Sequence, residues 1–343
     1  MTQQVKLCPV QDFSNLPIQT SKLAATNAHD DIKDARNGER IVLASRWDKL
    51  NYMLLGGFQF GQTYMLCGAS GHGKSYMLNM LLRDFTNPTL QKDVSKTRVL
   101  HFSFEMSAAA EMTRRISTLT GISYRKLMSA DRPLTSDEFE QVKVASSRLT
   151  DEPIYFVEQP GNRQQIRDTI DRMKQRFPDD DLVVTLDHTL LASSMPGENE
   201  IQTLAELGKM FIDIRKEYNT LNILLSQLND KIESSGRRDP SVPSLHFPTK
   251  TDIHGSKQLY HAADVCLVMH QPALLGLEVY GPDRVPTMTE EGQNLISMHV
   301  LKNRHGTQGY TRMISNLENG RIDPWVDGYS SAHASDGPLF NIQ

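Results

Sequence analysis

The chain has 343 residues, 38% of them hydrophobic, which suffices for one large α/β domain or one domain with a small appendage. No apolar stretch approaches the roughly 20 residues needed to span a bilayer, and Met1-Thr2-Gln3-Gln4-Val5 lacks a basic region followed by an apolar core, so no signal peptide is expected. The net charge of −4 disfavours a protein that coats duplex DNA over a broad basic face, and any positive surface must be local. Cys8, Cys67 and Cys266 are far apart and form no C-x-x-C pair, which argues against a zinc site and a disulfide scaffold; a reducing cytoplasm is the expected setting.

Residues 1–18, with Pro9 and Pro17, read as an arm, and residues 19–38 as a polar, weakly amphipathic helix. From Arg40 the pattern becomes regular. Thr63–Cys67 is a short apolar strand running into a Gly-rich loop, and Ser75–Leu82 is helical. Arg98–Phe104 predicts a second strand, followed by a helix from about Ala108 to Ser117. Thr135 with Glu138 is a capping box opening a helix to about Leu149. Ile154–Val157 is a strand, and Ile166, Ile170 and Met173 share one face of a helix. Asp181–Asp187 is a strand ending in an acid; Leu204, Leu207, Phe211 and Ile214 mark a long amphipathic helix. Leu221–Ser226 and Val265–Met269 are further strands, and Leu295–Leu301 with Gly309–Ser315 make a final hairpin. Continuously apolar strands alternating with helices predict a mostly parallel sheet covered on both faces. The tail from about Asp323 has no periodicity and is expected to be mobile.

Gly68-Ala69-Ser70-Gly71-His72-Gly73-Lys74-Ser75 is a complete phosphate-binding loop. Its glycines let successive N–H groups face one anion, and the following helix adds its N-terminal dipole. Lys74 is expected to pair with the β- and γ-phosphates and Ser75 to give a hydroxyl to Mg²⁺. Ser70 lies in the same cradle, while His72 is expected to point outward. Asp187, at the end of an apolar strand expected beside the loop, is the candidate second Mg²⁺ carboxylate. Glu105, after a strand also expected to neighbour the loop, is the candidate base for the attacking water; an acid favoured by a helix N-terminus is the plainer alternative. Gln227 follows another strand and is placed to sense the γ-phosphate. Residues 229–255 form a long aperiodic segment with Lys231, Arg237, Arg238 and Lys250, either a nucleic-acid loop or a solvated mobile one. Lys302-Asn303-Arg304 ends an apolar strand before a turn; taken alone it reads as a hairpin with solvated charges.

In this order the motifs resemble the RecA-like motor of DnaB-type replicative helicases and their phage relatives, over roughly residues 40–323. Ser45-Arg46-Trp47, Gly56-Gly57-Phe58, Phe102-Ser103-Phe104-Glu105-Met106-Ser107, Leu182–Asp187, Leu225-Ser226-Gln227-Leu228-Asn229, Gly255-Ser256 with Ala263-Asp264-Val265, and Lys302-Asn303-Arg304 carry the resemblance. It implies a RecA-like P-loop fold, an ATP- and Mg²⁺-dependent helicase, a homo-hexameric ring around single-stranded DNA, and ATP sites between subunits. It makes Glu105 the catalytic acid–base and sends Lys302 and Arg304 into a neighbour's ATP site, where an arginine stabilises charge on the transferring phosphoryl group. It points to Lys231, Arg237, Arg238, Lys250, His254, Gly255, Ser256 and Lys257 as the DNA-facing set, and to a primase and a helicase loader as further partners. Residues 1–39 then hold an arm and a linker helix docking on the next protomer, 40–323 the motor, and 324–343 a tail. Three departures stand out. The chain lacks the separate N-terminal domain and any primase or zinc region. His188 stands where the family usually has an aromatic residue, and Ile253-His254 where an arginine is common. The spacing from Gly255 to Asp264 is closer to the phage ring helicases. A RecA-like strand-pairing ATPase and a P-loop small-molecule kinase remain the rival functions; DNA stimulation with unwinding separates the three.

Overall fold

In the computed structural model, which describes residues 18–239, 241–254 and 257–325, the chain divides into two units, residues 1–42 and 43–343. The first contains α1 (Ser21–Asn37), started by Thr20, whose hydroxyl accepts from Leu23 N at 3.3 Å, and ended by Gly38 in the left-handed region. None of its residues is buried, as a short polar helix without a partner face requires.

After β1 (Val42–Leu43), the second unit begins with α2 (Asp48–Met53), β2 (Phe58–Gln59) and then β3 (Thr63–Gly68), buried at every position. The succession continues as α3 (Lys74–Phe85), β4 (Thr97–Ser103), α4 (Ala108–Thr120), α5 (Tyr124–Leu127), α6 (Ser136–Thr150), β5 (Ile154–Val157), α7 (Arg163–Arg176), β6 (Asp181–Asp187), α8 (Glu200–Tyr218) and β7 (Leu221–Gln227). A run of 3-10 turns leads to α9 (Lys257–Ala262) and β8 (Val265–His270). A small ribbon, β9 (Val279–Tyr280) with β10 (Val285–Pro286), precedes β11 (Leu295–Asn303), β12 (Gly309–Asn316) and β13 (Arg321–Pro324).

The main sheet has the order β13–β12–β11–β8–β3–β7–β6–β4–β5. From β8 to β5 the pairings are parallel, and β11, β12 and β13 continue the sheet antiparallel. The expected hairpin is therefore β11–β12, and β13 extends it through Pro324. That corrects the tail boundary: residues from Asp323 to Trp325 belong to the described fold, and only 326–343 of the tail lie outside the described residues, as do residues 1–17 of the arm.

Alternation along each strand sends side chains to two faces, and two cores result. Tyr64 and Leu66 face one, with Met77, Leu78, Leu81 and Phe85 of α3. Met65 and Cys67 face the other, with Ile166, Ile170 and Met173 of α7 and Leu204, Leu207, Phe211 and Ile214 of α8. Each of these fully buried side chains contributes about 1.5–3 kcal/mol; Phe211→Ala would cost about 3–5 kcal/mol and separate α8 from the sheet.

Candidate active site

Strand β3 stops at Gly68, and the chain curls through the loop into α3, with Gly71 (φ 76°) and Gly73 (φ 93°) in the left-handed region that a side chain disfavours. A Cβ on Gly73 would also come within 3.1 Å of Leu317. Ser70 and Gly71 are exposed at the tip, and nothing lies within 4 Å of a Cβ placed on Gly71, so the concavity is open on that side. Lys74 is 8% exposed, and its Nζ donates to the loop's own carbonyls, Gly68 O at 2.9 Å and Ala69 O at 3.0 Å. Burial lowers its pKa, opposed by the Asp187, Cys67 and Glu105 charges. An anion in the loop would relieve that desolvation.

His72 does not point outward. It is 3% exposed, its ring stacks on His270 with centroids 5.6 Å apart, and its Nδ1 accepts from Gln271 N at 3.1 Å. Gln271 Nε2 donates in turn to His72 O at 3.0 Å. The end of β8 thus pins the back of the loop, and burial with the Lys74 charge lowers His72 to about 4.

The strand order also differs from expectation. Strand β7 lies between β3 and β6, and β4 lies beyond β6, so the strands of Asp187 and Glu105 are not immediate neighbours of the loop strand. Gln227, paired with Gly68, is the strand-end residue beside the loop; it is half-buried, and its carbonyl accepts from His254 N at 2.9 Å. Asp187 is 2% exposed, with Oδ1 lacking any partner among the described residues. Burial pushes its carboxyl up to about 6, against the Ser75 hydrogen bond and the His101 charge. An unsatisfied carboxylate oxygen next to a serine hydroxyl suits a hard, oxygen-seeking dication. Glu105 is exposed just past β4, where Phe104 N donates to Asp187 O at 2.7 Å and keeps the two acids' segments together. His188, joined to Asp187 by a cis peptide bond, is buried and lowered to about 4 by desolvation and by the Lys74 and His254 charges.

A family model for the DnaB-like helicase C terminal domain matches residues 43–323. The chain belongs to that family. It is 27% identical over 210 residues to a probable plasmid replicative DNA helicase of Chlamydia trachomatis serovar L2, covering 61% of this chain and 40% of the relative. It is 24% identical over 213 residues to the replicative DNA helicase DnaB of Geobacillus stearothermophilus, covering 62% and 42%. The chain thus spans about two-fifths of the length of these curated relatives. Among solved structures, the ATPase domain of one DnaB-like helicase superposes with a TM-score of 0.75 over 90% of this chain and 100% of its own, at 17% identity. A DnaB-like replicative helicase studied with primase superposes at 0.73, over 91% and 68%, also at 17%. These likenesses establish the RecA-like α/β fold.

The remaining candidates of this DnaB-like domain lie in two places. Lys302 and Arg304 sit at the amino end of the sheet. Arg304 N donates to Asp264 O at 3.1 Å, five residues before Met269, which pairs with Gly68. At about 3.3 Å per residue that is about 16 Å along the strand. Lys302 Nζ donates to Tyr260 O (2.7 Å), His261 O (3.1 Å) and Ala263 O (2.6 Å), closing the end of α9. Arg304 holds Asp264 Oδ1 at 3.2 Å and His261 O at 3.0 Å, while Asp264 Oδ2 accepts from Thr63 N at 2.9 Å and from Arg215. Neither cation is at the phosphate loop of the same chain.

The described residues of 229–239 and 241–254 are not a bare loop: they include successive 3-10 turns tied by Arg237. Its guanidinium clasps Asp252 through two 3.0 Å bonds and donates to Phe247 O at 2.6 Å and to Leu245 O. Arg237 is therefore a structural tie rather than an open cation, whereas Lys231, Arg238, Lys250 and His254 are exposed. Gly255, Ser256 and the Lys257 side chain lie outside the described residues. Sequence reasoning also missed His101, Glu111 and Asn79, a buried polar group behind the Asp187 site; a histidine inside an otherwise apolar strand was its only signal. No described helix is long and apolar enough to cross a membrane.

Proposed function

We propose that this domain is the motor of an ATP-driven ring helicase that translocates on single-stranded DNA and separates the duplex ahead. What supports the reading is that the phosphate loop and the Lys302–Arg304 pair stand at opposite ends of the same sheet. Gly68, Ser70, Gly71, Gly73, Lys74 and Ser75 cradle the nucleotide at one end, and Lys302 and Arg304 sit at the other. A head-to-tail contact between copies brings the second set to the first, and closing such contacts makes a ring; the hexamer is the family's form of it.

Within that site Lys74 leaves its loop carbonyls for the β- and γ-phosphates. Ser75 and Asp187 hold Mg²⁺, which supplies neutralisation of phosphoryl charge when bound. Glu105 takes the proton of the attacking water, and Gln227 reports the γ-phosphate to residues 229–254 through its backbone bond to His254. Lys231, Arg238 and Lys250 carry the exposed positive charge for a DNA backbone, with the exposed His254 ring as a polar contact. A primase and a loader are the partners this role calls for, and the cytoplasm (a host's, if the source is a phage) is its place.

The test is the ATPase rate with and without single-stranded DNA, followed by unwinding of a forked duplex. Stimulation with strand separation is expected. Hydrolysis indifferent to DNA, without unwinding, overturns the helicase reading; strand pairing with filament formation would favour a recombinase.

A further inference from the structure

Behind the proposed magnesium and water-activating residues lies a buried polar group to which the site as described assigns no task. Glu111, on the first turn of α4, is 1% exposed. A carboxylate so placed is costly unless hydrogen-bonded, and a network whose members are all engaged specifies one geometry. Its Oε2 accepts from the Asn79 amide, and the same Nδ2 donates to Ser75 O at 3.1 Å. Its Oε1 lies 3.5 Å from Ser103 Oγ, whose single proton goes to Met106 O at 2.7 Å. His101 Nε2 stands 4.0 Å from Oε1, while its Nδ1 meets Thr185 Oγ1 at 2.7 Å. Burial works to raise the Glu111 carboxyl, but His101 and the Asn79 amide outweigh it and hold it below its usual value, so the group is ionised at neutral pH.

One carboxylate is thus a single side chain away from the backbones of Ser75 and Met106, and through His101 from the strand of Asp187. We propose that Glu111 is a positioning residue for hydrolysis, locking the Ser75 helix, the Glu105 segment and the Asp187 strand into one arrangement. It touches neither nucleotide nor water; it sets the distance between the groups that do. The inference rests on the reading of Ser75, Asp187 and Glu105 given above.

Misplacing a reacting group by about 1 Å can cost about 100-fold in rate. Glu111→Ala is expected to lower kcat about 10- to 100-fold with the ATP KM within about threefold, and to raise the Mg²⁺ concentration for half-maximal rate severalfold. Rates are expressed per folded molecule, with the full chain and single-stranded DNA present. Glu111→Gln, which keeps one acceptor and the volume, recovers part of kcat. Should Glu111→Ala fold poorly, Asn79→Ala and Ser103→Ala test the two arms: the first shifts the Mg²⁺ dependence, the second kcat. A kcat within twofold of the parent for Glu111→Gln and both arm variants, or losses that follow only the folded fraction, overturns the proposal. Glu105→Gln is run alongside. If it abolishes turnover while the Glu111 variants do not change it, only the positioning role falls; if it turns over normally, the site reading beneath falls first.

Discussion

At the carboxyl ends of the parallel strands Lys74 is 8% exposed and Asp187 2%, and both have pKa values displaced by burial. At the amino ends the Arg304 side chain is 44% exposed, and its guanidinium is shared between Asp264 and a helix carbonyl. The first end is a desolvated cradle in which Lys74 gains from an arriving anion and Asp187 from a cation. The second presents a cation outward, held in direction by backbone and carboxylate oxygens. A charge already in contact with solvent and pre-aimed can be offered to another molecule at small desolvation cost, whereas a buried one serves only a ligand that enters.

The comparison breaks most severely at Lys74. Lys74→Ala is expected to lower ATP hydrolysis by about 10³-fold or more, because the β- and γ-phosphates lose the buried cation that faces them. Turnover near the parent rate would remove the nucleotide from this end of the sheet. Arg304→Ala should lose about 10³-fold in turnover while still binding a fluorescent ATP analogue, as expected of an arginine acting in trans. An equimolar mixture of Lys74→Ala and Arg304→Ala chains should regain part of the rate, since some interfaces then carry both intact halves. Loss of nucleotide binding by Arg304→Ala would mean that it acts within its own protomer.

A finer division lies inside residues 229–254. Arg237→Ala leaves Asp252, 3% exposed on its side chain, without its cation and with only Thr249 N (2.7 Å) and Thr249 Oγ1 (3.0 Å) as donors among the described residues, and breaking such a pair costs about 3–5 kcal/mol where both groups are fully buried. Because Arg237 retains 17% exposure, the lower end is expected, read as a reduced unfolding midpoint and faster proteolysis of the segment. Arg238→Ala should leave the midpoint unchanged and reduce the salt dependence of single-stranded DNA binding by about one unit of slope. Equal effects of the two variants on stability would erase the distinction between tie and contact.

How much of this was legible in sequence follows from which interactions are local. Strands β3, β6, β7 and β8 are buried on both faces, so their apolar runs announce them. The Thr135–Glu138 capping box is likewise a three-residue device and is present, with Glu138 N donating to Thr135 Oγ1 at 3.2 Å. The phosphate-loop pattern was readable because its glycines and lysine fall within eight consecutive positions. Strand order was not: nothing in Leu221–Gln227 says that it inserts between β3 and β6. The burial of His72 depends on Gln271, and the closure of residues 229–254 on Arg237 meeting Asp252, contacts that no periodicity encodes. Glu111 is one more acid in a helix's first turn as far as the sequence goes, and only Asn79, Ser103 and His101, far from it in the chain or on another element, set it apart.

The smallest effect tests whether the desolvated half behaves as one environment. Burial lowers His72 and His188 to about 4, with help from the Lys74 charge, and His299 to about 3, and it holds His270 well below its usual value of 6.5. Between pH 6.5 and those folded values the unfolded chain carries protons that the folded chain does not. Stability from these histidines is therefore full above pH 6.5 and declines as pH falls, by about 1.4 kcal/mol per unit for each fully titrating histidine. Asp187, pushed up to about 6, works in the opposite direction, because the folded chain takes up its proton first. Glu152 and Asp181, which burial also raises, act the same way, and the four histidines against three carboxylates leave a net loss. The unfolding midpoint should thus drop between pH 7 and 5, before most carboxylates titrate, and His299→Gln should flatten that dependence by one histidine's share. A midpoint indifferent to pH over this range would mean that the rings protonate in place, and that the nucleotide end is as open to water as the end that carries Arg304.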